Sequence, residues 1–328
     1  MEAAAKRVRA GGGSAGDRLS ALPDELLRHV LSFLPAQEIV QTTVLSKRWT
    51  DLWRSVPAIN LNFMDFGPAS VDAEHMVVEA LDEVWVKMEA FSTNLLMLHN
   101  APSLDAFRLT VFPYSNVQDQ HVDRWLRRAM KHNPLLLEVN VLYRSSGYSL
   151  PHLGSEPRRL KRLHLFYVSL DHSFAEGLRA VCPDLEDLVL KECCIYFSGI
   201  QSDGLRNLVV NRCRKLPEGT FVIRAPRLAS LCLDIGHNSY RDGISLDAGN
   251  SLARASVSLT PVVLPSRCEA MSAMLDKDLD KFPVFDNLKT LSLEWCFLGE
   301  HDADKFKALG RFLQKSPILE KLSLKYFQ

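Results

Sequence analysis

The chain has 328 residues, of which 47% are hydrophobic and 24% are charged, so it can bury a sizeable core and is not expected to be disordered overall. Its 39 Lys and Arg residues balance 39 Asp and Glu residues, which excludes a general attraction to nucleic acid or to an anionic membrane. The sequence shows neither a secretory signal nor a long apolar run, and its seven cysteines lack framework spacing. We therefore expect a cytoplasmic and/or nuclear protein that recognises its partners through local features.

Residues 1–16 consist mainly of Ala, Gly, Arg and Lys, and they predict a disordered tail. Gly11, Gly13 and Gly16 match the pattern G-x-G-x-x-G. Because no strand precedes these glycines, the match does not indicate a nucleotide site.

Residues 17–56 predict three short helices. Pro23 suits the first turn of the first helix, Pro35 ends it, the second helix runs over about 37–44, and Ser46 can cap the third. The first helix carries an unusually wide arc of apolar residues: Leu26, Leu27, Val30, Leu31, Phe33 and Leu34. A unit of roughly forty residues is usually too small to bury so much apolar surface unaided. The excess therefore predicts either an interface for a partner or packing against the rest of the chain.

The phrases Leu22-Pro23-Asp24-Glu25-Leu26-Leu27 and Val44-Leu45-Ser46-Lys47-Arg48-Trp49 resemble the F-box as it occurs in plant proteins. In that family the module binds the Skp-type adaptor of a cullin-based ubiquitin ligase. The resemblance implies an adaptor-binding role for the following positions: Leu22, Pro23, Leu26, Val30, Leu45, Ser46 and Trp49.

Residues 57–99 are interpreted as a linking strand and helix, with Leu81, Val84, Trp85 and Met88 at helical spacing. From residue 100 to residue 328 one six-residue pattern recurs nine times: its first, fourth and sixth positions are apolar, and the positions between them are variable. The repeats start at Leu104, Leu136, Leu160, Leu185, Leu205, Leu228, Leu252, Leu288 and Leu319. Five of the eight intervals fall within the 20 to 29 residues of leucine-rich repeats.

The predicted fold is α/β: a leucine-rich repeat solenoid, with a curved parallel sheet and helical return segments, after a small three-helix F-box. Helices are expected at 121–131 and 303–315. The combination resembles the plant F-box and leucine-rich repeat family. Many members carry a further C-terminal FBD domain, which we do not recognise in this sequence.

Residues between the repeat leucines are expected on the opposite, concave face of the sheet, because side chains alternate along a strand. Their mixture of charged, small polar and aromatic groups favours recognition of a protein target over a deep ligand pocket. The predicted target-binding residues are Arg162, His164, Phe166, Asp187, Lys191, Asn207, Asn211, Asp234 and Glu294.

Other patterns favour structural interpretations. Cys193, Cys213 and Cys296 occupy the small buried position of such repeats and lack zinc-site spacing. The basic residues at 158–162 suit a solvated repeat edge better than a phosphate or nuclear-import contact, and Asp276 opens a calcium-like stretch that lacks the required glycine and glutamate.

No catalytic motif is recognised, and no cofactor or metal is expected. The sequence thus predicts a non-catalytic substrate-recognition subunit of a Skp, cullin and F-box ubiquitin ligase, with an unknown protein target. The alternatives are a scaffold or truncated decoy that binds the adaptor without presenting a target, and a small-molecule co-receptor.

Overall fold

A computed structural model describes residues 21–68, 78–142, 148–152, 159–235, 240, 242–248, 250–258, 285–294, 309–310 and 312–325. The predicted tail at 1–16, the calcium-like stretch at Asp276, Arg158 and Cys296 lie outside the described residues, as does most of the helix expected at 303–315.

The N-terminal unit consists of three short helices, as predicted. These are α1 (Asp24–Leu31), α2 (Ala36–Gln41) and α3 (Lys47–Leu52), with 3-10 turns at Thr42–Val44 and Trp53–Ser55. Pro23 and Pro35 directly precede α1 and α2, where a missing backbone N–H costs nothing. Ser46 occupies the N-cap position of α3 with an extended backbone, but its side chain makes no capping hydrogen bond.

The rest of the described chain is built mainly from strands. In chain order they are β1 (Ala58–Asn62), β2 (Ala106–Val111), β3 (Leu136–Val141), β4 (Tyr148–Ser149), β5 (Arg162–Phe166), β6 (Val168–Leu170), β7 (Asp187–Lys191), β8 (Cys194–Ile195), β9 (Gly199–Gln201), β10 (Asn207–Asn211), β11 (Arg214–Lys215), β12 (Phe221–Arg224), β13 (Ser230–Asp234), β14 (Ile244–Asp247), β15 (Arg254–Ser258), β16 (Thr290–Glu294) and β17 (Lys321–Lys325).

Ten strands form one open parallel sheet in the order β1-β2-β3-β5-β7-β10-β13-β15-β16-β17. The nine strands from β2 onward correspond to the nine predicted repeats. β1 extends this sheet by one strand ahead of the repeat start expected at residue 100, and it pairs with β2 in the same parallel register. The parallel solenoid fold expected from the sequence is therefore present.

The repeat leucines form the core because parallel pairing places them side by side. Leu163, Leu188 and Leu208 are in direct register on adjacent strands, and all three are buried. The buried cluster runs without interruption from Leu27 in α1 to Leu291 in β16, and α2 packs against β1. The three-helix unit is thus anchored on the first strand of the sheet.

The return segments differ from the predicted helices in most repeats. The described helices there are α4 (Val78–Leu98), α5 (Asn116–Lys131) and α6 (His172–Val181), and α5 contains the helix predicted at 121–131. Residues 309–310 and 312–314, within the helix predicted at 303–315, are helical too. Elsewhere short strands form two small parallel sheets, β11-β8-β6-β4 and β14-β12-β9. The 192–206 connection between β7 and β10 has no room for a long helix, so its backbone groups pair with neighbouring repeats instead.

Two predicted structural cysteines line this stack. Cys193 and Cys213 are buried, and their thiols donate to the carbonyl oxygens of Lys191 and Asn211 at 3.3 and 3.5 Å. The hydrogen bond with Cys193, together with burial, raises the pKa of the Cys213 thiol. Both residues therefore serve packing within the repeats.

No helix among the described residues combines the length and apolar character that crossing a membrane requires.

Candidate functional site: an apolar F-box surface and a concave sheet face

The three-helix unit leaves large apolar side chains in contact with solvent. Leu26, Val30 and Phe33 lie along one side of α1 and its C-terminal turn, with Phe33 74% exposed, while Val44 and Leu45 precede α3 and are 85% and 62% exposed. We call these five residues the F-box patch. Isolated exposed apolar residues are ordinary, but this many within one small unit indicate an interaction surface.

The opposite side of the same unit is buried. Leu27, Leu31, Ile39, Trp49 and Leu52 all belong to the continuous core. The wide apolar arc predicted for α1 is therefore divided between two tasks: one part packs inward and the other faces outward. The rest of the chain covers the inner part and leaves the F-box patch uncovered.

An ion pair fixes the start of α1 beside α3. The Nη2 atom of Arg48 lies 2.5 Å from Asp24 Oδ1, and it also donates to the carbonyl oxygen of Leu22. The bonds therefore hold the segment that contains Leu22 and Pro23 against the helix that follows Leu45. The F-box patch lies on α1, on the turn after it and on the segment just before α3, so the clamp connects the two helices that the patch adjoins.

The structure places the predicted adaptor-binding residues in different environments. Pro23, Leu26, Val30, Leu45 and Ser46 are exposed. Leu22 is partly buried against the core. Trp49 is buried, so its main role in this structure is to pack α3 into the core. An adaptor contact by any of the seven residues remains a prediction.

Sequence reasoning did not select Phe33 or Val44 for the adaptor surface, although they are the most exposed of the patch. Phe33 continues the apolar spacing of α1, and Val44 is part of the F-box phrase. The sequence pattern could therefore have indicated both residues as part of the surface.

The second candidate surface is the face of the ten-stranded sheet opposite the repeat leucines, which was predicted to be concave and is called the concave face below. All nine predicted target-binding residues lie on its strands, at positions that alternate with the buried leucines. Pairing aligns these positions into three rows across the sheet. Arg162, Asp187 and Asn207 lie in the first row, His164 in the middle row, and Phe166, Lys191, Asn211, Asp234 and Glu294 in the third row.

His164 lies between two carboxylates on this face. Its Nδ1 atom is 3.5 Å from Glu138 Oε2 on β3, and its Nε2 atom is 3.5 Å from Asp187 Oδ2 on β7. The interaction with His164 lowers the pKa of Glu138, so this carboxylate is ionised at neutral pH. Three adjacent strands thus share one polar network.

Aromatic and apolar groups adjoin this network. The Lys191 ammonium lies 5.3 Å from the centre of the Phe166 ring, within the range of a cation–π contact. Val189, Val209 and Cys232 follow His164 along the middle row. This combination of aromatic, charged and small apolar groups suits a polypeptide partner.

Arg108 and Glu138 also belong to the concave face but were not among the predicted site residues. They lie in the middle row beside His164, on β2 and β3. The alternation of buried and outward-facing positions that selected His164 applies equally to these earlier repeats. It could therefore have predicted that Arg108 and Glu138 lie on the concave face.

Two residues of the basic cluster at 158–162, Arg159 and Lys161, are engaged within the chain. Arg159 donates to the carbonyl oxygens of Asn133 and Leu104 at 2.7 and 3.1 Å, and Lys161 pairs with Glu186 at 3.1 Å. These contacts favour the predicted structural role of the repeat edge.

Comparison with known proteins matches the N-terminal unit to a known domain. Residues 19–59 match the family model of the F-box domain. The chain is 30% identical to the meiotic F-box protein MOF of Oryza sativa subsp. japonica, with 94% of this chain and 71% of that protein covered. It is 28% identical to an FBD-associated F-box protein of Arabidopsis thaliana (86% and 71% covered) and 26% identical to an F-box/FBD/LRR-repeat protein of that plant (94% and 74% covered).

The chain therefore belongs to the plant family of F-box and leucine-rich repeat proteins. The family resemblance expected from the sequence is confirmed. Its role is that of an F-box adaptor.

Proposed function

We propose that this protein is a substrate-recognition subunit of a Skp-cullin-F-box E3 ubiquitin ligase. The observation that carries the proposal is the F-box patch, because it stays exposed although the apolar residues on the inner side of the three-helix unit are buried in the core. A Skp-type adaptor would cover this apolar surface, and the adaptor would link the chain to a cullin.

The concave face would hold the protein target. Its residues are presented by a rigid parallel sheet, and its groups suit a polypeptide surface. In this arrangement the chain is non-catalytic: it raises the effective concentration of the target near the conjugating enzyme, which supplies the chemistry.

The proposal can be tested by purifying the tagged full chain from plant cells in which the proteasome is inhibited. A Leu26→Asp/Val30→Asp variant serves as the comparison, because both side chains are exposed and the change should leave the fold intact. We expect adaptor and cullin to accompany only the wild-type chain, whereas targets accompany both and are ubiquitinated only with the wild type.

Adaptor binding without ubiquitination of any accompanying protein would overturn the proposal in favour of a scaffold or decoy. Equal recovery of adaptor with both chains would show that the F-box patch is not the binding surface.

A further inference from the structure

The concave face carries four carboxylates on the strands of the large sheet, and each has a basic partner. Glu138 and Asp187 flank His164 at 3.5 Å, Asp234 lies 3.4 Å from Arg212, and Glu294 lies 2.6 Å from Lys325. Asp234 and Glu294 are thus each paired with a full positive charge, whereas Glu138 and Asp187 share one imidazole that is charged only when it is protonated.

Five cations on the strands of this face differ in this respect: Arg108, Arg162, Lys191, Arg254 and Lys321, of which the first three lie on β2, β5 and β7. Arg108, Arg162 and Lys191 have no carboxylate at salt-bridge distance among the residues that the structure describes, and all three contact solvent. The Lys191 ammonium lies over the Phe166 ring, and its charge, like that of Arg108, acts on the nearby Glu138 carboxylate without forming a salt bridge with it. Such groups form ion pairs most readily with an incoming anionic partner.

Based on the proposed function, we propose that the concave face over β2, β3, β5 and β7 binds an acidic, extended segment of the target protein through Arg108, Arg162 and Lys191. This inference specifies which kind of target segment the concave face binds.

The spacing of the cations favours a peptide with several separate carboxylates. Arg108 is in the middle row on β2, Arg162 in the first row on β5, and Lys191 in the third row on β7. At roughly 4.8 Å between strands and 3.3 Å per residue, they span about 14 Å by 13 Å. An extended segment of about four residues covers this distance, with acidic side chains reaching different cations.

A nucleic acid or a single phosphate group fits less well. The chain has no net charge, and Glu138 and Asp187 lie among the three cations and would repel a continuous phosphate backbone. Because the cations are on three strands and in three rows, they are better placed for separate single charges than for one dianion.

The test measures binding of fluorescent peptide pools to the full chain by anisotropy. One pool is randomised with Asp and Glu at half of its positions, a second has Asn and Gln instead, and a third has phosphoserine. We expect the acidic pool to bind at least about tenfold more tightly than the amide pool, and to weaken as ionic strength rises from about 0.05 M to about 0.5 M.

The preference should disappear in the variant Arg108→Gln/Arg162→Gln/Lys191→Gln. The matched control is the variant Arg128→Gln/Lys131→Gln/Arg179→Gln. It removes the same amount of charge from α5 and α6, which pack on the opposite side of the sheet. This control should keep the preference for acidic peptides. Equal binding of the acidic and amide pools, binding of the phosphoserine pool alone, or equal losses in both triple variants would overturn the proposal.

Adaptor binding is measured on the same preparations and separates the two proposals. A chain that binds adaptor but shows no acidic preference contradicts only the inference about the target. A chain that prefers acidic peptides but fails to bind adaptor contradicts only the proposed ligase role. Unchanged adaptor binding by the concave triple variant also shows that it is folded.

Discussion

The guanidinium of Arg48 joins α3 to the carboxylate of Asp24 at the start of α1, with Nε and Nη2 at 2.8 and 2.5 Å from the same oxygen. The same guanidinium bonds the Leu22 carbonyl oxygen, so one side chain connects the first turn of α1 to the helix after Leu45. The clamp thus connects the segments that carry the F-box patch, the surface proposed to bind the adaptor.

Replacing Arg48 should therefore affect binding more than stability. We expect Arg48→Met to lower the free energy of unfolding by only about 0.5–1 kcal/mol, because the ion pair is solvent-exposed, while adaptor affinity falls measurably. Asp24→Asn should have a similar effect, and the double variant should lose less than the sum of the two single losses. Full adaptor affinity in the Arg48→Met protein would show that the clamp does not order the surface.

Substitutions at Trp49 and Leu45 should differ in their effect on stability, because Trp49 lies on the inner side of the three-helix unit and Leu45 on the outer side. Trp49 is 8% exposed, so Trp49→Ala should cost about 3–5 kcal/mol, whereas Leu45→Ala should change stability by less than about 0.5 kcal/mol. Urea unfolding followed by far-UV circular dichroism measures both. Similar losses in the two variants would mean that the helices pack differently.

Substitutions at neighbouring positions of one repeat strand should differ strongly in their effect on the free energy of unfolding, because one position is in the core and the next is on the concave face. Leu188 is fully buried on β7, and Leu188→Ala should lower the unfolding free energy by about 2–5 kcal/mol. Asp187→Asn, on the concave face of the same strand, should cost much less. Denaturant midpoints of the two proteins test this, and a larger effect at Asp187 would reverse the assignment of the two faces.

His99 should make the stability of the chain depend on pH. Its Nε2 atom donates to the Val56 carbonyl oxygen at 2.9 Å, and burial lowers the pKa of the imidazole below its usual value. The unfolded chain then binds the proton more readily than the folded chain. The contribution of neutral His99 is complete above about pH 6.5 and decreases as the pH falls from there towards the lower folded-state pKa.

The variant His99→Gln keeps a neutral donor but does not titrate. We expect its unfolding free energy to change less than that of the wild-type chain between pH 7.5 and pH 5.5 in urea titrations, values on either side of the ordinary histidine pKa of about 6.5. Parallel pH dependence in both proteins would exclude His99 as the source.

Much of this architecture follows from local patterns in the sequence. Pro23 and Pro35 mark the first two helices, and the spacing of residues such as Leu163 and Leu165 fixes the core side of each strand. β1 also follows the repeat spacing, since Val56, Ile59 and Leu61 are all buried. These features depend on a few neighbouring residues and are therefore readable without a structure.

The remaining features depend on how distant segments stack. β8 contains only Cys194 and Ile195, which is too short for any periodic signal, and it exists because the neighbouring repeats supply β6 and β11 as pairing partners. The Arg48–Asp24 pair and the position of His164 between two carboxylates likewise join residues that lie 23 or more positions apart in sequence. The burial of Trp49 reflects the way α3 packs, which the F-box phrase alone does not show.

The affinity of a purified Skp-type adaptor for two matched variants tests the central claim most directly. Leu45 in the F-box patch and Val117 on α5 are 62% and 63% exposed, so each can be replaced by Asp at a similar cost to the fold. By titration calorimetry we predict that Leu45→Asp weakens adaptor binding at least about tenfold, or about 1.4 kcal/mol, while Val117→Asp binds like the wild-type chain. Wild-type affinity in the Leu45→Asp protein would contradict the assignment of the F-box patch as the adaptor-binding surface.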